Sequence, residues 1–123
     1  MTKVETAKPD TLGQFEQLVL TAVIALREGA YGGPIYDQVT EMAERRINMG
    51  SLYVTLDRLE KKGLLSSRLL QPKGERNRKP KRFYRLEADG LSALQESVAT
   101  SKRITKIFDR SMKSGKRKSK RGK

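Results

Sequence analysis

Apolar residues recur at helical spacing in four stretches of this chain and at alternating spacing in two. In the first stretch Leu12, Phe15, Leu18, Val19, Ala22, Val23 and Leu26 keep a helical period. They predict an amphipathic helix ending near Arg27, with Gly29 as its stop. Thr11 and Gln14 stand at capping-box spacing at its start. The stripe is wide enough to cover a core and leave surface for a second subunit. Tyr31-Gly32-Gly33-Pro34 predicts a loop, with Pro34 as the first residue of a second helix. Ile35, Val39 and Met42 line that helix, Tyr36 and Ala43 flank them, and it should end near Arg45. Arg46-Ile47 is a short extended link whose Ile47 plugs the core.

The stretch Asn48–Leu70 carries two stripes at once. Leu52, Leu56 and Leu59 form an apolar one. Ser51, Thr55, Arg58 and Lys62 form a polar, cationic one without a carboxylate. Asn48 is a good N-cap, and Gly63 sits where a left-handed stop is wanted. A helix with one buried face and one short-polar, basic face, joined to the helix before it by a few residues, is a helix-turn-helix arrangement. After Gly63 the period changes to two. Leu65–Leu70 and Lys81–Leu86 predict paired antiparallel strands, and the Pro- and Gly-broken link between them is crowded with cations, which makes the hairpin a wing.

Ala88 to about Met112 predicts a long fourth helix. Leu91, Leu94, Val98, Thr105, Phe108 and Met112 share one seam, and Ile104 and Ile107 widen it. Ser101 and Thr105 interrupt the seam, so the pattern suits a helix packed on its own domain on one side and on a partner on the other better than a strict coiled coil. No apolar residue follows Met112, and the polar opening residues hold Pro9 before Asp10; both ends predict disorder. The expected fold class is mainly α with a small β-hairpin, a winged helix-turn-helix plus a long C-terminal helix. The expected divisions are 1–10 disordered, 11–86 the helix-turn-helix domain with its hairpin, 87–112 the long helix with a face for a partner and 113–123 a disordered basic tail.

Charge sharpens this picture. The net charge is +13 over 123 residues, but it is not spread evenly. Segment Pro72–Arg82 holds six basic residues and one acid, and Lys102–Lys123 holds eleven basic residues and one acid. The rest is near neutral. Two concentrated basic patches point to a polyanion partner. There is no cysteine, which excludes disulfides and thiolate metal sites and suits a reducing cytoplasm. No apolar run approaches about 18 residues, so no membrane span is expected, and the first ten residues lack the apolar centre of a signal peptide. With no His and no Cys the commonest catalytic bases, nucleophiles and metal ligands are missing. Glu16, Asp37, Glu41, Glu44, Asp57 and Glu60 fall singly on helix faces, and Gly32-Gly33 has no lysine partner for a phosphate loop, so no enzyme and no cofactor is expected.

Asn48–Glu60, N-M-G-S-L-Y-V-T-L-D-R-L-E, resembles the G-x-L-Y-x-x-L-x-R-L-E signature of the PadR family of bacterial transcriptional regulators. Lys61-Lys62-Gly63-Leu64-Leu65 is similar to the helix end and strand start that follow it there. Lys81–Leu86 resembles the family's R-K-Y-Y-x-L strand, Ala88-Asp89-Gly90-Leu91 its next helix start, and Ala30-Tyr31-Gly32-Gly33-Pro34-Ile35 the A-Y-G-x-P-I form of one branch. The resemblance covers about residues 12–98. Glu87 departs from it, standing where the family usually has a capping Thr, and the resemblance does not extend to the basic tail after Met112. The resemblance implies a winged helix-turn-helix, a homodimer through the C-terminal helix as in the compact members, and repression of transcription.

On this basis the expected DNA contacts of the third helix are Asn48, Ser51, Tyr53, Thr55, Arg58 and Lys62, and those of the wing Lys73, Arg76, Arg78, Lys79, Lys81 and Arg82. The expected dimer contacts are Leu91, Leu94, Val98, Ile104, Thr105, Ile107, Phe108 and Met112. Each has a plainer alternative: a solvated helix face for the cationic stripe, a cap for Asn48, core packing for Tyr53, strand-surface charge for Lys81 and Arg82, core for Phe108 and Met112. The expected partners are double-stranded DNA and a second copy of the chain, with room for a small-molecule effector at the dimer interface. The expected location is the bacterial cytoplasm, at the nucleoid. Two other classes stay open: a sequence-independent architectural protein using the same basic patches, and a protein–protein adaptor on a winged-helix scaffold.

Overall fold

The structure is a computed structural model that describes residues 11–71 and 79–122, with side chains described through Gly115. Its elements are α1 (Gln14–Leu26), a 3₁₀ turn (Arg27–Gly29), α2 (Gly32–Ala43), α3 (Met49–Lys61), β1 (Leu65–Leu70), β2 (Lys81–Leu86) and α4 (Ala88–Gly122). The winged helix-turn-helix order is the expected one.

The apolar stripes meet in one core. Val19, Leu20 and Ala22 of α1, Ile35 and Val39 of α2, and Leu52, Leu56 and Leu59 of α3 are all fully buried. Ile47 plugs the α2–α3 link, and its carbonyl accepts a hydrogen bond from the Tyr36 hydroxyl at 3.0 Å. Gly63 has φ +81, the left-handed conformation that lets the chain leave α3 and enter β1.

Several boundaries differ from the pattern. α1 begins with Gly13 and Glu16, not Thr11 and Gln14: the Glu16 carboxylate accepts from Gly13 N–H at 3.0 Å. A carboxylate is the stronger acceptor there and is favoured by the helix dipole. α2 already includes Gly32 and ends at Ala43, because Glu44 turns left-handed with φ 56.

The segment expected to be a plain loop also joins the sheet. β1 and β2 pair antiparallel with Leu65 opposite Leu86 and Leu70 opposite Lys81. Tyr31 adds an isolated bridge to Phe83, Tyr84 N–H donates to the Ala30 carbonyl at 2.8 Å, and the Tyr31 and Phe83 rings stack at 4.9 Å with a 55° tilt. The hairpin is thereby fastened along its second edge.

Glu87 stands just before α4, and tertiary bonds hold the helix start there. Glu87 N–H donates to the Leu64 carbonyl at 3.0 Å, and its carboxylate accepts from the Ser66 hydroxyl. The helix then runs to Gly122, past the end expected at Met112, so the segment 113–122 is helical where disorder was expected. Lys and Arg are good helix formers, and Gly115 is the only strong helix-breaking residue within 113–121. At 35 residues α4 is roughly 50 Å long. Leu94 is buried in the domain core, which removes it from the free face expected for a partner. Leu91, Val98, Ile104, Ile107, Phe108 and Met112 are exposed along the helix, as is Thr105.

Candidate nucleic-acid interface

α3 turns about 100° per residue, so the residues opposite Leu52, Leu56 and Leu59 are fixed by the buried ones. They are Gly50, Val54, Asp57 and Lys61, all exposed. Tyr53 flanks this outward face on one side, and Ser51 and Arg58 on the other. Val54 is 61% exposed, the most open apolar residue of α3. Asp57 and Lys61 pair at 3.1 Å, one turn apart, and both stay open to solvent. A helix face that is open, flat at Gly50, and carries one apolar and several hydrogen-bonding side chains suits base edges in a major groove.

The cationic stripe expected to form that face lies on its flank, turned toward α1. Thr55 is 3% exposed and is corrected from a contact residue to a core one; its hydroxyl accepts from an Arg58 Nη2 donor at 3.4 Å. Stepping by four, three and four places this stripe next to the leucines rather than opposite them. Arg58 Nε donates to Glu16 Oε2 at 3.4 Å, and Lys62 Nζ reaches the same oxygen at 3.3 Å. The Arg58 side chain remains half exposed, that of Lys62 less so.

Glu16 is the residue the sequence pattern does not single out. It is buried within α1, and one carboxylate bonds the Gly13 amide, Arg58 of α3 and Lys62 just past the end of α3. Burial pushes its carboxyl up, but the Gly13 N–H and the charges of Lys62 and Arg58 outweigh it, and the group lies below the usual carboxylate range. Glu16 is therefore ionised at neutral pH. Its only signal in the sequence is a carboxylate three residues after Gly13, at the start of an apolar helix.

Asn48 caps α3: its side chain accepts from Ser51 N–H at 2.9 Å. Tyr53 is 48% exposed, with its hydroxyl against the Gly32 backbone at the start of α2, where any side chain at position 32 would collide with it.

The wing is tied to α3 by a short polar chain. The Ser67 hydroxyl donates to both Glu60 oxygens at 2.9 Å and accepts from Arg82 Nη1 at 3.0 Å. Burial, reinforced by the Glu60 carboxylate, pushes the Tyr84 phenol up, which keeps it neutral on this face. Lys79 and Arg82 are exposed and Lys81 is half-buried. Lys73, Arg76 and Arg78 lie outside the described residues.

Residues 20–96 match the model of the Transcriptional regulator PadR-like family. The chain belongs to that family. It is accordingly a DNA-binding transcriptional regulator and not an enzyme.

Solved structures agree in fold. A PadR family transcription regulator from Clostridium difficile is 21% identical, covers 80% of this chain and 97% of its own, and superposes with a TM-score of 0.64. A PadR-like transcription factor from Bacteroides fragilis is 25% identical over 80% of this chain and 89% of its own, at 0.62. A PadR family regulator from Eggerthella lenta is 29% identical over 76% and 80%, at 0.60. No individually curated protein matches the chain. Among the described residues no helix is long and apolar enough to cross a membrane.

Proposed function

We propose that this PadR-like regulator represses transcription by binding a palindromic operator as a homodimer in the bacterial cytoplasm. Residues 11–86 form the DNA-binding unit, and 87–112, which hold the first part of α4, provide the dimer contact. One observation carries the reading: the outward face of α3, sealed on its other side by three fully buried leucines, is open beside a hairpin that Glu60, Ser67 and Arg82 tie to the same helix. α3 enters the major groove with Asn48 and Ser51 at its leading end, Val54 toward thymine methyls and Arg58 toward guanine. Lys79, Lys81 and Arg82 meet backbone phosphates beside the groove. Asn48, Ser51, Tyr53, Arg58 and Lys62 remain contact candidates, and Val54 and Lys61 join them. The exposed row Leu91, Val98, Ile104, Ile107, Phe108 and Met112 supports a two-helix contact between protomers. A bound dimer blocks whatever promoter overlaps its site.

The uneven charge favours one rival, a sequence-independent binder that relies on the wing and the basic end of α4. Selection of bound duplexes from a random pool separates the two. The proposal predicts two inverted half-sites with centres one or two turns apart, in steps of about 10 base pairs. A selected pool with no consensus would leave only the rival.

A further inference from the structure

Arg58 makes two bonds to its own protein, from the two nitrogens that flank one edge of its guanidinium. Nε donates to Glu16 and Nη2 to Thr55. A guanidinium carries five donors in a rigid plane, so fixing that edge leaves the edge formed by Nη1 and the second Nη2 hydrogen facing away from α1. The side chain is half exposed, which leaves this second edge accessible. That edge is the one that pairs with two acceptors side by side, such as N7 and O6 of guanine. The Glu16 carboxylate is anchored in turn by the Gly13 amide and buried by the packing of α1.

We propose that Glu16 is the positioning residue for base recognition: it holds the Arg58 fork in one plane, so that α3 meets DNA with its arginine already oriented for a guanine. The inference rests on the reading of α3 as a groove-entering helix. Glu16 touches no DNA itself. It lowers the side-chain entropy Arg58 loses on binding, and it discriminates against bases that offer one acceptor where guanine offers two. Lys62 shares the carboxylate and keeps the site net cationic, so orienting Arg58 does not repel the phosphates.

The test uses the full chain, a duplex it selects from a random pool, and a scrambled duplex of equal length, both titrated at one salt concentration. Arg58→Ala should lower the ratio of the two affinities about tenfold. Glu16→Gln should lower the same ratio about fivefold while leaving the affinity for scrambled DNA unchanged or raised, since it removes one negative charge near phosphates. In the Arg58→Ala background Glu16→Gln should change nothing in the ratio. Arg58→Lys, at a half-exposed position with little risk to folding, keeps the charge and loses the fork, and should fall as far as alanine.

A ratio untouched by Glu16→Gln, an equal loss on both duplexes, an effect that persists without Arg58, or a lysine that preserves discrimination would each overturn the proposal. If Arg58→Ala leaves the ratio intact, the base-reading role of α3 at Arg58 falls and this inference falls with it. If Arg58→Ala acts and Glu16→Gln does not, Arg58 stands and only Glu16 falls. Thermal melts of every variant report folding separately.

Discussion

Ile107→Glu should turn a dimer into a folded monomer and weaken binding to a palindromic duplex by about a hundredfold or more. Ile107 is 58% exposed in the single chain, so its replacement removes little from the domain's own core. It stands in a row with Ile104, Phe108 and Met112, each at least half exposed, on a part of α4 that has left the domain behind. A carboxylate placed there would have to be buried without a partner when two helices close on that row. Two linked half-sites gain affinity from their effective concentration, so a monomer loses that gain while keeping its contacts to one half-site. Sedimentation of the variant should give the mass of one chain, with a melt that stays cooperative but falls to a lower temperature because the partner subunit no longer stabilises the fold. A variant that still sediments as a dimer would place the protomer contact elsewhere.

Gly90→Ala should destabilise the domain by about 3 kcal/mol, which lowers the melting temperature by about 10 °C or more for a domain of this size. A methyl at position 90 would run into the Leu64 carbonyl and the Leu86 side chain. The first obstacle is backbone and cannot swing aside. Gly90 is where α4 crosses the corner between α3 and β1, and the Glu87 amide bonds the same Leu64 carbonyl at 3.0 Å. The small residue is thus required by a close approach, not by its backbone angles. Gly33 is the control: nothing lies within 4 Å of its added methyl, so Gly33→Ala should melt no lower than the parent. Equal melts for the two variants would show that α4 does not seat on that corner.

Among the described residues the apolar periodicities place the four α-helices and both strands, because Leu52, Leu56, Leu59, Val19 and Ile35 mark the faces that are buried together. Residue type also located Asn48 as a cap and Gly63 as a left-handed stop. Ends were harder. Glu44 closes α2 early in a left-handed conformation that is uncommon for glutamate, so its residue type does not mark the stop. Ala30 and Tyr31 join the sheet through a contact distant in sequence, invisible to any local pattern. The same limit applies to the site. A polar stripe at helical spacing shows which residues share a face, but not where that face points. The spacing from Leu52, Leu56 and Leu59 sets the stripe beside the leucines, and the burial of Thr55 shows how far it turns inward. Glu16 was the least legible, since its partners lie 42 and 46 residues away.

The most direct measurement is a competition titration of the full chain between its selected palindrome and a scrambled duplex, repeated over a salt series. The account predicts that both affinities fall with salt, since wing and tail cations release counterions from either duplex. It also predicts that their ratio stays at about a thousandfold or above throughout, because base contacts made by α3 are not released by salt. A ratio near one at every salt concentration would contradict it and leave a protein that binds DNA by charge alone.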